Sequence, residues 1–397
     1  MVTDSLTIVG GGPVGFTAAL AFARDGIDVT VIESASAPSL SPRACVYLHT
    51  LLPDLDELGI LDDMKSRGVI DHDGFNMHLT SLNEVLSAPN TVIEGYSPTP
   101  FNVHLGQGEL CQIIVEHLGR LPNVTILWST SVVGLEQDAD SVSLTLADDR
   151  GATRTHRTSW VIGADGGRSA VRGLIGGTLE GMTWNERFIA NNIYFDFSTL
   201  GFKNSNMYVD PELSAVIARI DDSGLWRCTI QEPDALPEET IEQRVHEYLH
   251  ALLGPDAEYE LDAFQPYRMH QRLSTTMREG RVLLAGDAAH LTNPTGGLGL
   301  TTGLYDVFAL HEGLGALIDG RTDESVLDRY AAARSKTFSQ ITSPLASNFK
   351  GIVYGGLSPE ELREATAQIR ESTKDEESQR QMILGLDVVR SPSLLAS

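Results

Sequence analysis

The chain has 397 residues, of which 42% are hydrophobic, 21% charged and 7% aromatic. That supports about two to three domains' worth of core and excludes both a disordered tail and a stapled mini-protein. The 29 basic residues against 54 acidic ones give a formal charge of −25, which disfavours nucleic acid and anionic membrane as partners. In chain order, an apolar stretch, LTIVGGGPVGFTAALAFA, comes first, broken by glycines and Pro13 and preceded by no basic run. It reads as strand, tight turn and helix rather than as a signal peptide. The strand covers 6–9 and the helix 13–25, with Gly26 as its stop. A second strand over 29–32 follows at once, and this βαβ opening predicts a parallel sheet.

A helical patch is expected over 50–65. Residues 71–103 read as irregular, because Pro89, Pro98 and Pro100 break any helix. A helix fits 109–121, where Leu110, Ile113, Ile114 and His117 share one face. Alternating strands are expected at 125–128, 132–137 and 142–147, then a buried strand at 160–164 running into Asp165-Gly166-Gly167. Residues 178–277 change character: Ile193, Phe195 and Phe197 alternate, as do Trp226, Cys228 and Ile230. They predict a separate antiparallel sheet, with a helix at 238–253 between its strands. Twelve carboxylates between Asp221 and Asp262, against Arg227 and Arg244, fit a solvated face. A buried strand returns at 282–285, followed by a glycine-rich turn, helices near 304–317 and 325–345, a polar helix over 359–382, and a tail expected to be mobile. No apolar run reaches the roughly 18 to 20 residues of a membrane span. Cys45, Cys111 and Cys228 form no CxxC pair. They predict buried thiols in a reducing, cytoplasmic setting, with no disulfide frame and no metal site.

Three segments carry chemistry. Gly10-Gly11-Gly12-Pro13-Val14-Gly15 is a G-x-G-x-x-G between strand and helix. Gly10 makes the turn, Gly12 lets backbone amides approach a pyrophosphate, and Gly15 lets helix and strand pack closely. Glu33, ending the second strand, can accept both hydroxyls of a ribose and would repel a 2′-phosphate, so the pocket suits FAD or NAD over NADP. Gly286-Asp287-Ala288-Ala289-His290 follows the strand at 282–285, where an acceptor-only Asp suits ligand hydroxyls. Pro294-Thr295-Gly296-Gly297-Leu298-Gly299 runs into a helix whose positive end would favour negative charge on a planar ligand.

Together these segments, with Asp165-Gly166, resemble the class A FAD-dependent aromatic monooxygenases, the p-hydroxybenzoate hydroxylase-like family, from Gly10 to about residue 345. The resemblance implies an α/β fold: a Rossmann-like FAD-binding domain with a three-layer, mostly parallel sheet, an inserted antiparallel-sheet substrate domain, and C-terminal helices. The implied FAD-binding unit is discontinuous, over 1–72, 104–177 and 278–350. The substrate unit takes 73–103 and 178–277, and 351–397 form a C-terminal helix and tail. By matching position, Gly10, Gly12, Pro13 and Gly15 hold the pyrophosphate and Glu33 the adenosine ribose. Arg43 and Gln107 fall where the family contacts its cofactor, and Asp165 belongs to a segment linked to FAD and the nicotinamide nucleotide. Asp287 resembles the residue on the ribityl chain. Pro294, Gly297, Gly299, Leu300 and Thr301 would border the isoalloxazine. Many relatives have Asn where Thr301 stands, so the fixing of the flavin edge stays open. The thioredoxin-like domain of larger relatives is not expected here.

The implied reaction uses NADH or NADPH and O2 to hydroxylate a small aromatic or quinone-like molecule through a flavin C4a-hydroperoxide, the cofactor carrying the chemistry. Pro294 and His290 are candidate catalytic residues, although His290 also reads as a structural side chain. Tyr47, Phe195 and Trp226 are candidate substrate contacts, with core packing as the alternative for each. His49 reads as a packed side chain, Arg187, Arg219 and Arg227 as surface residues, and Tyr330 with Arg334 as a helical pair. A reductase, epoxidase or halogenase of the same fold, and a flavin-binding redox sensor without catalysis, are the competing readings. The W-x-W-x-I-P segment of halogenases and the second G-x-G-x-x-G of disulfide reductases are not found. Oligomeric state is not legible.

Overall fold

The computed structural model describes residues 5–39 and 44–396; Arg43 lies outside them. The strand Ser5–Val9 pairs in parallel with Asp28–Ile32 on one side and Trp160–Gly163 on the other, with Ile8 opposite both Val31 and Ile162. Val282–Leu284 and Val124–Leu127 extend the sheet, and the short antiparallel Arg278–Glu279 closes one edge. These strands read as apolar runs because both faces are covered. Helices Pro13–Arg24, Gln107–Leu118 and Leu298–Ile318 pack over one face. A three-stranded antiparallel sheet, Thr130–Gln137, Val142–Asp148 and Thr153–Thr158, lies over the other. The core between them includes Ile8, Phe16, Val31, Ile114, Ile162 and Leu283, all at 0% exposure. Burial of each such side chain contributes about 1.5–3 kcal/mol.

The second sheet has eight strands, with Leu179–Tyr194 third from one edge, between Glu260–Ser274 and Leu225–Pro233. Trp226, Cys228 and Ile230 do share a face, covered by Ile241, Val245 and Leu249 of the helix Ile241–Leu253. The helix Ser343–Tyr354 covers part of the opposite face: the Tyr354 hydroxyl donates to Thr229 O at 2.8 Å and its ring meets Phe188 at 4.9 Å. At one edge Arg272 and Leu273 pair with Leu291 and His290, so this sheet runs into the 286–297 segment.

Several expectations are corrected. Residues 71–103 are not merely irregular: Phe75–Leu79 and Glu84–Ala88 form strands at the edge of the large sheet, Phe75–Leu79 in parallel with Ser205–Val209. Asn102–His104 joins Val46–Tyr47 and Val69–Asp71. The prolines lie outside those strands and break nothing. The helix expected over 325–345 is Ser325–Thr337, one π turn at Phe338–Thr342, then Ser343–Tyr354. The 359–382 region is three short helices. The tail is seated rather than loose: Arg390 pairs with Asp54, and Leu394 is buried in the main core.

Candidate active site

The loops at the carboxyl ends of the parallel strands are shaped by close contacts. Gly10 sits at φ +110°, and a Cβ there would come within 2.3 Å of Ala164 O; a Cβ on Gly15 would come within 1.9 Å of Gly10 O. Both positions therefore admit no side chain. Gly12 differs, because a Cβ there would meet nothing within 4 Å. Gly12 also provides no side-chain cap to the helix Pro13–Arg24, Pro13 has no N–H, and the bond from Phe16 N to Gly12 O is 2.9 Å. The amides of Val14 and Gly15 are thus left for a ligand beside an open surface, the arrangement that holds a phosphate. Glu33 folds back on this loop: its Oε2 accepts from Gly11 N at 2.5 Å and its Oε1 from Ala35 N at 2.7 Å. Gln107 begins the helix Gln107–Leu118, and its N–H donates to Ala44 O at 2.8 Å, next to the undescribed Arg43.

The Asp165 carboxylate is engaged within its own loop. It accepts from Ser169 Oγ at 2.5 Å, Ala170 N at 2.7 Å and Val171 N at 3.1 Å, securing the start of the helix Ala170–Leu174. Asp287 is exposed in the turn Gly286–Ala288. That turn is pinned from several sides: Asp306 Oδ2 accepts from Gly286 N at 2.9 Å, and Arg172 donates to Ala288 O at 2.8 Å. His290 Nε2 lies 2.7 Å from Asp306 Oδ2, and the His290 ring stacks on Phe338 at 4.7 Å. With 2% exposure, His290 occupies a structural position.

The 292–297 loop leans on Gln271, whose amide meets Thr292 Oγ1 and Asn293 N at 3.0 to 3.2 Å and reaches Ser343 O at 3.3 Å. Gly297, at φ +68°, precedes the helix Leu298–Ile318 and gives it no side-chain cap. The amides of Leu298, Gly299 and Leu300 therefore point out of a positive helix end. Thr301 donates its hydroxyl to Gly297 O at 3.1 Å. Thr295 Oγ1 is buried with no partner. The open side of Gly12, two uncapped helix starts and this orphaned hydroxyl fit an extended, anionic, planar ligand such as FAD. Among the described residues no cluster of three or more His, Cys, Asp or Glu could hold a metal, and no helix is long and apolar enough to cross a membrane.

Of the proposed substrate residues, Tyr47 lies apart from Phe195 and Trp226. Tyr47 is fully buried in the main core, its hydroxyl unpartnered and its ionisation pushed up by burial and then by Cys111 and Cys45. Phe195 and Trp226 pack in the apolar layer under the helix Ile241–Leu253, with Trp226 5.4 Å from Phe197. Both also line a cleft of about 750 Å³ with Tyr194, Phe202, Lys203 and Arg219. The alternate positions Arg227 and Thr229 lie on the other face of that strand. Arg227, 9% exposed, donates to Asn192 Oδ1 at 3.2 and 2.9 Å. Arg187 is likewise no surface residue: it lies 2.6 Å from Glu232 and is 3% exposed. His49 is packed, its ring 3.0 Å from Ile383 O. Arg334 reaches Asp306 at 2.6 Å, while Tyr330 donates to Leu284 O at 2.7 Å, so the two serve the same strand end without forming a pair. Asp306, Arg172 and Gln271 escaped the sequence reading. The one legible signal was an aspartate inside the otherwise apolar segment LTTGLYDVFAL.

The FAD-binding domain family matches residues 3–343 of this chain. A 6-hydroxy-3-succinoylpyridine 3-monooxygenase of Pseudomonas putida is 43% identical over 342 residues, 86% of each chain. A para-nitrophenol 4-monooxygenase of Pseudomonas sp. strain WBC-3 is 37% identical over 97% of this chain and 95% of its own. The crystal structure of a p-nitrophenol 4-monooxygenase from Pseudomonas putida DLL-E4 superposes with a TM-score of 0.92 at 37% identity, covering 98% of both chains.

Proposed function

Because the chain belongs to the FAD-binding domain family, we propose that it oxygenates a phenol or hydroxypyridine at a ring carbon para to the hydroxyl, displacing a substituent already there. It is an FAD-dependent aromatic monooxygenase that uses NAD(P)H and O2. The observation that carries the finer reading is a regularity in the relatives' names. Positions 3 and 6 of the pyridine, and 4 and 1 of nitrophenol, are para pairs in which the oxygenated carbon bears the succinoyl or nitro group. A ring hydroxyl raises electron density at the para carbon, which suits electrophilic oxygen transfer. With a substituent there that leaves with its bonding electron pair, the product is a quinone; an acyl group that passes instead to water as its acid leaves the dihydroxy ring. For a nitro group the balanced products are quinone, nitrite and water.

Bound FAD would take two electrons from the nicotinamide nucleotide and pass one oxygen atom of O2 to the ring, the other leaving as water. In this reading the Val14 and Gly15 amides hold the pyrophosphate, Glu33 the adenosine ribose and Asp287 the ribityl chain. Pro294 and the amides of Gly297, Gly299, Leu300 and Thr301 border the ring, and the flanking domains exclude water. Gln107, at the start of its helix, completes the cofactor's edge. The test is a panel of para-substituted phenols and 5-substituted 2-hydroxypyridines. NAD(P)H consumption should be stimulated, with release of the substituent and one added oxygen by mass. If only rings with hydrogen at the para carbon are turned over, the displacement reading fails.

A further inference from the structure

Asp306 is a fully buried carboxylate with three charged or polar partners. Its Oδ2 accepts from Gly286 N at 2.9 Å and lies 2.7 Å from His290 Nε2; its Oδ1 accepts from Arg334 Nε at 2.6 Å. One oxygen therefore fixes both flanks of Asp287, the residue before it and the residue three after. Arg334, itself at 0% exposure, also donates to Thr302 O at 3.0 Å and to Val389 O at 2.9 Å. Val389 lies well past residue 343, where the family match ends. Beside it, Tyr305 donates to Asp387 at 2.8 Å, and the Arg390 guanidinium lies over the Tyr305 ring at 4.6 Å. A buried ion pair is a poor source of net stability compared with well-packed apolar residues, and its best-attested use is to specify position.

We propose that Asp306 is a positioning residue for the cofactor: it sets the turn that presents Asp287, and through Arg334 it couples that turn to the seated C-terminal segment. The inference rests on FAD occupying the site described above. Apo-protein of full length is titrated with FAD by fluorescence quenching, for wild type, His290→Ala, His290→Gln and Asp306→Asn. His290→Ala and Asp306→Asn should raise the FAD dissociation constant at least tenfold. His290→Gln, whose amide can still donate to Asp306, should recover most of that loss. The visible spectrum of His290→Ala at saturating FAD should also shift. FAD should slow tryptic cleavage within 351–397 in the wild type, and only at higher FAD in His290→Ala. Folded variants that bind FAD within twofold of wild type, or a tail equally cleaved with and without FAD, overturn the proposal. Should either variant fail to fold, Asp306→Glu, which keeps the charge but changes the reach, is titrated instead under the same criterion. A wild type that binds no FAD would sink the cofactor reading itself, a different outcome.

Discussion

Val14 packs directly on Gly286: a Cβ built on that glycine would lie 2.9 Å from Val14 Cγ2. The second residue of the first helix thus touches the turn that carries Asp287, although 272 positions separate Val14 from Gly286 in sequence. Strand order explains the meeting. Ser5–Val9, which leads into the helix of Val14, and Val282–Leu284 lie two spacings apart in the sheet, about 10 Å, with only Trp160–Gly163 between them.

Gly286→Ala should therefore damage both halves of the site. Its φ of +60° disfavours a side chain, and the new methyl would press on Val14. A cost of about 1–3 kcal/mol is expected, read as a lower melting temperature together with weaker FAD binding.

Gly12→Ala and Gly15→Ala separate ligand approach from folding. Alanine at Gly12 meets open space, so the protein should fold with a near-normal melting temperature yet lose FAD affinity. Alanine at Gly15 would place a methyl 1.9 Å from Gly10 O, and soluble, folded protein should fall sharply. Equal FAD binding by Gly12→Ala and wild type would show that the open surface is not the pyrophosphate seat.

Acid should destabilise the fold through specific carboxylates. Burial alone would raise Asp306 and Asp71, but His290 and Arg334 in one case, and His104 in the other, hold both below the ordinary 3.8. A depressed folded-state value means stability that is fully present above the unfolded value and is lost as pH falls through the folded one. Melting temperature should hold down to about pH 4 and then fall steeply. In Asp71→Asn that acid slope should flatten.

Trp226→Ala tests whether this ring belongs to the core or to the substrate. Its position under the helix Ile241–Leu253 predicts a loss of about 3–5 kcal/mol, seen in denaturant midpoint, with the ranking of aromatic substrates unchanged. A reordered ranking at near-normal stability would place it in the substrate pocket.

The cofactor half of the molecule was legible because its signals are local. Glycine spacing, a charged residue ending a strand and an apolar run after Arg281 each need only a few neighbours to interpret. The substrate half was not. Phe195 and Trp226 have the composition of a pocket wall, and the outer core has the same composition, so alternation alone could not say which face looks inward. Arg187 and Arg227 looked like surface cations because their partners, Glu232 and Asn192, lie on neighbouring strands, at long separation in sequence. Asp306 was hidden for the same reason: Arg334 is 28 residues on and Gly286 is 20 residues back.

The thiols show one more consequence of burial. An enzyme that activates dioxygen leaks peroxide whenever turnover miscarries, and thiolate is the side-chain form peroxide attacks most readily. Here Cys45, Cys111 and Cys228 are all buried, which pushes their ionisation upward, to about 12 for Cys111. At neutral pH almost none is ionised, so self-inflicted oxidation falls instead on thioethers at the surface, such as Met182 with 47% of its area exposed. The molecule should age during idle cycling by losing methionine, not cysteine.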